Sequence, residues 1–137
     1  AMGLLQLKSF DESIEKRKVL ADTYRELLKD IKGISMLPEP SATIPNYAYF
    51  PIFVNEKEYG MSRDALYEKM KQNNIYGRRY FYPLISDFSM YKGLESSAKN
   101  NLPVAHKIAN EVICLPIYPD LNISNVIKII DIIQQMK

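Results

Sequence analysis

The sequence predicts an α+β domain: a small three- or four-stranded, mainly antiparallel sheet covered by amphipathic helices, with a long helix at its N-terminal end. Three observations carry that class. Four segments repeat apolar side chains at helical spacing, each opened by a capping or first-turn residue. Between them lie three short runs rich in aromatic and β-branched residues, YAYFPIFV, GRRYFYP and EVICLPIY, the composition of strands. At 137 residues the chain is long enough for one domain with a real core and does not promise two.

The first helix opens at Ser9, where Ser9-Phe10-Asp11-Glu12 has the form of a capping box. Phe10, Ile14, Leu20, Tyr24, Leu27, Leu28 and Ile31 then share one face, and Gly33 is a natural stop. Upstream, Leu4, Leu5 and Leu7 crowd together. Residues 35–46, with three prolines and no periodicity, form a connector. YAYFPIFV, residues 47–54, is the first strand, and its Pro51 points to an edge position or a bulge. NEKEYG is a polar turn. Ser62 caps a helix through about Asn73, with Leu66 and Met70 facing inward.

GRRYFYP, residues 77–83, is the second strand, followed by a polar connector over 84–101. A short helix runs from about Leu102 to Ala109, with Pro103 in its first turn. EVICLPIY is the third strand. Asn122 caps the last helix, whose apolar face is Ile123, Val126, Ile127, Ile130 and Ile133.

Composition excludes several classes. A net charge of +2, from 18 basic and 16 acidic residues, is not that of a dedicated nucleic-acid binder. No segment approaches the ~20 apolar residues of a membrane span, and no basic-then-apolar leader opens the chain. The lone Cys114, inside VICLPI, reads as a space-filling thiol of a reducing compartment, so a cytoplasmic location is expected. The sequence has no Gly-rich phosphate loop, paired cysteines or HExxH. His106, the single histidine, reads as solvated or capping rather than as a metal ligand.

GRRYFYP is the one chemically distinctive stretch. As a strand it would alternate faces, placing Arg79, Phe81 and Pro83 on one side and Arg78, Tyr80 and Tyr82 on the other. The plainest reading is a half-buried strand whose arginines reach water. An RNA-binding strand would need glycine between its aromatics, and Gly77 stands outside them. A site for a phosphorylated small molecule is the third reading, because guanidinium forks suit phosphate oxygens and tyrosine offers a flat face and a hydroxyl.

Taken together, AMGLLQLKSFDESIEKR, NYAYFPIFV, NNIYGRRYFYPL and LPVAHKIANEVICLPIYPDL resemble, in order and spacing, the C-terminal portion of the DegT-type sugar-nucleotide aminotransferases. These are pyridoxal-phosphate enzymes of the aspartate-aminotransferase fold. The resemblance spans the whole chain, and RRYFYP with YFPI is most similar to enzymes that move an amino group from glutamate to a nucleotide-linked keto-6-deoxy sugar for surface polysaccharides. Many relatives carry histidines beside these two segments. Here Tyr49-Phe50 and Leu84-Ile85-Ser86 stand instead, so the sugar is left open.

The resemblance implies a linking segment and helix over 1–33 and a small α+β domain over 34–137, a single domain overall. It implies substrate contacts from Arg79, Tyr80 and Tyr82, then Arg78, with Tyr49 on the neighbouring strand. No catalytic, cofactor-binding or metal-ligating residue is expected. In this family the Schiff-base lysine and most cofactor contacts belong to a large N-terminal domain absent from this sequence. The chain alone is therefore expected to bind no pyridoxal phosphate and to be inactive. Two alternatives stay open: a free-standing sugar-nucleotide binding module, and a non-catalytic structural domain. The partners implied are the nucleotide-linked sugar in the full enzyme, no nucleic acid and no membrane. Exposed leucines near the N-terminus favour self-association.

Overall fold

The computed structural model describes residues 2–39 and 41–135. Of the sequence segments read above, Ala1, Pro40 and the final Met136-Lys137 lie outside them. Six helices and a three-stranded antiparallel sheet make up the described fold. In chain order they are α1 (Met2–Lys8), α2 (Phe10–Leu28), β1 (Ile34–Met36), β2 (Phe50–Val54), α3 (Glu56–Tyr59), α4 (Arg63–Gln72), α5 (Pro103–Glu111), β3 (Val112–Leu115) and α6 (Ile123–Gln134).

The sheet runs β1-β2-β3, with Ile34 opposite Val54 and Phe50 opposite Leu115. Alternation along β2 buries Phe50, Ile52 and Val54 on one face, as the period of two requires. Ile113 and Leu115 of β3 join them there. Leu20, Tyr24 and Leu28 of α2, Leu66 and Met70 of α4, and Val126, Ile130 and Ile133 of α6 close over that face to form the core. These are the apolar stripes that helical spacing marked out, although Phe10, Ile123 and Ile127 stay about half exposed.

Several expectations are corrected. GRRYFYP is not a strand: only Arg78 pairs, through an isolated bridge to Cys114, and the chain turns away at Tyr80-Phe81. Its side chains bind helix and loop groups off the sheet plane and so pull the segment out of the ladder. The third strand is instead β1, too short at three residues to display a period. Nor is Ser9 a cap, because α1 precedes it and its hydroxyl donates to Gln6 O at 3.3 Å. Asn122 stands at the N-cap of α6 but makes no side-chain capping bond; Ser62 does cap α4, accepting from the Ala65 N–H at 3.2 Å. NEKEYG winds into α3, which buries Tyr59. His106 is neither solvated nor capping: its Nε2 is buried, 3.9 Å from Asp87 Oδ1.

Pro51 lies in the central strand, not at an edge. Cys114, opposite it, spends both backbone groups on Arg78, so Pro51 forms a non-hydrogen-bonded pair with β3. Its nitrogen faces β1 just beyond the last pairing of that strand, Met36 with Ile52. The carbonyl that a ladder N–H would have reached, Leu37 O, accepts from Arg25 Nη1 at 2.9 Å. Cys114 is buried, and burial pushes its thiol up from the ordinary value, as suits an inert packing residue.

Two buried phenols tie helices to distant carbonyls. Tyr24 donates to Pro116 O at 2.9 Å and Tyr59 to Ile133 O at 2.8 Å. Gly33, at φ +81°, turns the chain from α2 into β1; a Cβ there would lie 2.3 Å from the backbone nitrogen of Tyr59, so only glycine fits. Burial pushes the Tyr59 phenol from 10 up to about 12. The folded state thus keeps a proton that an unfolded tyrosine loses near pH 10. The contribution is whole below pH 10 and vanishes as pH rises through about 12. Tyr59→Phe is expected to cost about 1 kcal/mol at neutral pH through the lost hydrogen bond. The same change should flatten the loss of stability above pH 10, measured by urea unfolding across the alkaline range. An alkaline limb as steep as the parent's would remove Tyr59 from this account.

Candidate functional site

The peptide between Arg78 and Arg79 divides two clusters. Arg78 is pinned by its own backbone, with its N–H to Cys114 O at 3.0 Å and its carbonyl accepting from Cys114 N–H at 2.8 Å. Gly77 permits the approach, since a Cβ there would press on Ile113 at 3.0 Å. From that fixed point the two guanidiniums go to different environments.

Arg79 turns onto α4. Its Nη1 meets Asp64 Oδ1 at 3.2 Å, and its guanidinium carbon lies 4.5 Å from the Tyr67 ring and 5.1 Å from the Tyr82 ring. Asp64 and Tyr67 share a face of α4 because they are three residues apart. Beneath them is Arg63, only 2% exposed. Its Nη1 donates to Val112 O at 2.8 Å, its Nε stands 2.8 Å from Asp64 Oδ1, and its guanidinium carbon is 4.9 Å from the Tyr82 ring. Burial pulls Arg63 below the usual arginine range; Asp64 opposes that shift and Arg79 adds to it. Cation–π stacking and one shared carboxylate therefore hold the 79–82 loop to the helix.

Arg78 makes no such contact with α4. It lines a groove of about 420 Å³ with Tyr49, Tyr76, Cys114, Pro116 and Tyr118. Among the described residues no lysine and no carboxylate lines this groove. Among the described residues the Arg78 guanidinium has no side-chain hydrogen bond or ion pair, though its charge acts on Tyr80 and Cys114. Tyr80 packs with tilted rings against Tyr49, centroids 4.7 Å apart, and against Phe81 at 4.0 Å. A hydrogen bond with Tyr49 is the main cause that pushes the Tyr80 phenol up.

The expected site residues thus differ in their contacts: Tyr49 packs on Tyr80, Arg79 and Tyr82 clamp onto α4, and Arg78 borders both the groove and a shallow hollow of about 410 Å³ that it lines with Arg79, Tyr80 and Tyr82. Sequence reasoning missed Arg63, Asp64 and Tyr67, and also Tyr76 and Tyr118 of the groove. Arg63 did carry a signal, because a cation in the first turn after the Ser62 cap opposes the helix dipole. Such a residue needs another reason to be there. Among the described residues, no cluster of three His, Cys, Asp or Glu side chains could hold a metal, and no helix is long and apolar enough to cross a membrane.

Comparison with known proteins gives consistent matches. Residues 1–134 match the family described as the DegT/DnrJ/EryC1/StrS aminotransferase family. A dTDP-4-amino-4,6-dideoxy-D-glucose transaminase of Escherichia coli is 51% identical over 94% of this chain and 34% of its own length. A Shigella dysenteriae protein of the same name is 40% identical over 100% of this chain and 36% of its own. The crystal structure of DesI in the presence of its TDP-sugar product superposes with a TM-score of 0.89 at 25% identity, covering 98% of this chain and 33% of DesI. The chain spans about a third of the length of the curated relatives it matches.

Asp64→Ala tests the clamp. It leaves Arg63 and Arg79 facing one another without their shared carboxylate, and is expected to cost about 1–3 kcal/mol. Hydrogen exchange at residues 79–82 should accelerate together with the fall in urea midpoint. An unchanged midpoint with unchanged exchange would mean that the stacking alone holds the loop.

Proposed function

The chain belongs to the DegT/DnrJ/EryC1/StrS aminotransferase family, and from that premise we propose that it supplies substrate recognition to an enzyme that transfers an amino group from glutamate to a nucleotide-linked keto-6-deoxy sugar. The observation that carries this reading is the Arg78 groove: a guanidinium without a hydrogen-bonded or ion-paired side chain among the described residues, flanked by phenols, with no acid among the described lining residues. Such a fork takes phosphate oxygens in pairs. Tyr49 and Tyr80 offer hydroxyls and a ring face to the sugar, while Arg79 and Tyr82 hold the loop and border the site. Relatives named as dTDP-4-amino-4,6-dideoxy-D-glucose transaminases support a thymidine-diphosphate sugar as the substrate.

The groove does not fit pyridoxal phosphate. That cofactor needs a lysine for its Schiff base and an acid for its ring nitrogen, and the lining offers neither. A relative named as a putative pyridoxal phosphate-dependent aminotransferase supports the cofactor in the whole enzyme. In this reading the chain alone binds and orients substrate and turns none over.

Calorimetric titration of the chain with a dTDP-linked sugar is expected to give saturable binding. Arg78→Ala should weaken it about tenfold or more, the worth of a charge-assisted hydrogen bond. Silence from the unaltered chain at millimolar ligand would overturn the claim that it recognises the sugar nucleotide unaided.

We also propose self-association through α1, where Leu4, Leu5 and Leu7 are 71%, 65% and 64% exposed. Burying each would gain roughly 1.5–3 kcal/mol. Sedimentation should show a concentration-dependent dimer that Leu4→Ser with Leu7→Ser returns to monomer. A parent chain that stays monomeric at high concentration would sink this proposal.

A further inference from the structure

The Arg78 groove does not end at its tyrosines. Tyr76, Pro116 and Tyr118 also wall a second hollow of about 680 Å³, so the two cavities share three residues and adjoin one another. Beyond that shared wall lie the turn after α4, with Asn74, and one side of α6, with Asn125 and Lys128. Each hollow has the size of a small-molecule site.

The two ends differ in charge. At the Arg78 end one cation stands without an acid in the lining. At the far end Lys128 is accompanied by Asp131, three residues on along α6, so the charges nearly cancel. The remaining polar groups there are mainly carboxamides, each with both a donor and an acceptor. Tyr76 and Tyr118, in the shared wall, are 65% and 49% exposed and so are accessible to whatever enters.

We propose that the second hollow takes the nucleobase of a nucleotide-linked sugar whose phosphates lie against Arg78; this rests on the function proposed above. A diphosphate belongs with the unopposed guanidinium. A neutral heterocycle belongs where charge cancels, against a tyrosine face. The imide edge of a thymine or uracil ring, with one N–H between two carbonyls, is matched by the donor and acceptor of a carboxamide such as Asn125.

The test is NMR titration of the ¹⁵N-labelled chain with thymidine diphosphate, thymidine and inorganic pyrophosphate. Pyrophosphate is expected to shift amides around Arg78 and Cys114 alone. Thymidine diphosphate should also shift those around Tyr118, Asn125 and Lys128. Tyr118→Ala and Asn125→Ala should each weaken thymidine diphosphate, the former by about tenfold, as loss of a base–aromatic contact does. Neither should change pyrophosphate affinity. If thymidine diphosphate shifts only the Arg78 side and both variants bind like the parent, the nucleobase hollow is overturned while the substrate reading stands. If no ligand shifts any amide, recognition by this chain falls, and the hollow with it.

Discussion

The double hydrogen bond between the backbones of Arg78 and Cys114 is the constraint on which the site depends. β3 has one edge paired along β2 and one edge open, and a single residue covers that open edge. A longer pairing would have made 77–83 a strand and forced its side chains into strict alternation. With a one-residue bridge, the position of Arg78 is fixed by the sheet, while everything after it is free to be placed by side-chain contacts. The same bridge occupies both backbone groups of Cys114 and so turns them away from Pro51. A proline can therefore stand in the middle strand without leaving an acceptor on β3 unpaired. One contact accounts for both the site and the tolerated proline.

Holding the loop costs the protein a buried cation. Taking a guanidinium out of water carries an effective penalty of several kcal/mol, and Arg63 recovers it only in part. It has the Val112 carbonyl, the nearby Asp64 charge and the face of Tyr82, while its Nε and Nη2 make no well-aligned hydrogen bond among the described residues. A well-packed apolar residue would fill the volume more cheaply. What it could not do is reach β3, the α4 carboxylate and the loop ring at once. Arg63 thereby couples the strand that fixes Arg78 to the loop that carries Arg79 and Tyr82.

The sequence displayed most of the core and little of the loop geometry, for physical reasons. Helical periodicity is a property of the helix itself, so Tyr24, Leu28, Leu66, Met70 and Ile130 could be read as inward before any fold was known. Strand reading rested on composition over a few residues. It gave β2 and β3 correctly, but it missed Ile34–Met36, which is too short to alternate, and it accepted 77–83, which has strand composition without strand partners. Whether an aromatic run pairs depends on what stands beside it in space, here Tyr67 and Arg63 from a helix fourteen or so residues earlier. The candidate residues themselves were legible as a set. Their division was not, because it depends on Asp64.

Asp64 makes two adjacent and chemically identical residues different. By sequence, Arg78 and Arg79 are one patch of double positive charge. In the fold, Arg79 shares a carboxylate and lies near two aromatic rings, so much of its charge is spent inside the protein. Arg78 keeps its charge in a groove without acids. Adjacent guanidiniums that faced one ligand would repel each other as well as attract it. Sending one to the helix removes that repulsion and leaves a single directional fork, anchored through its own backbone to the sheet. Recognition of an anion by such a fork gains from that rigidity, because little conformational freedom of the main chain remains to be lost on binding. The arginine of the clamp and the arginine of the groove are therefore two halves of one arrangement.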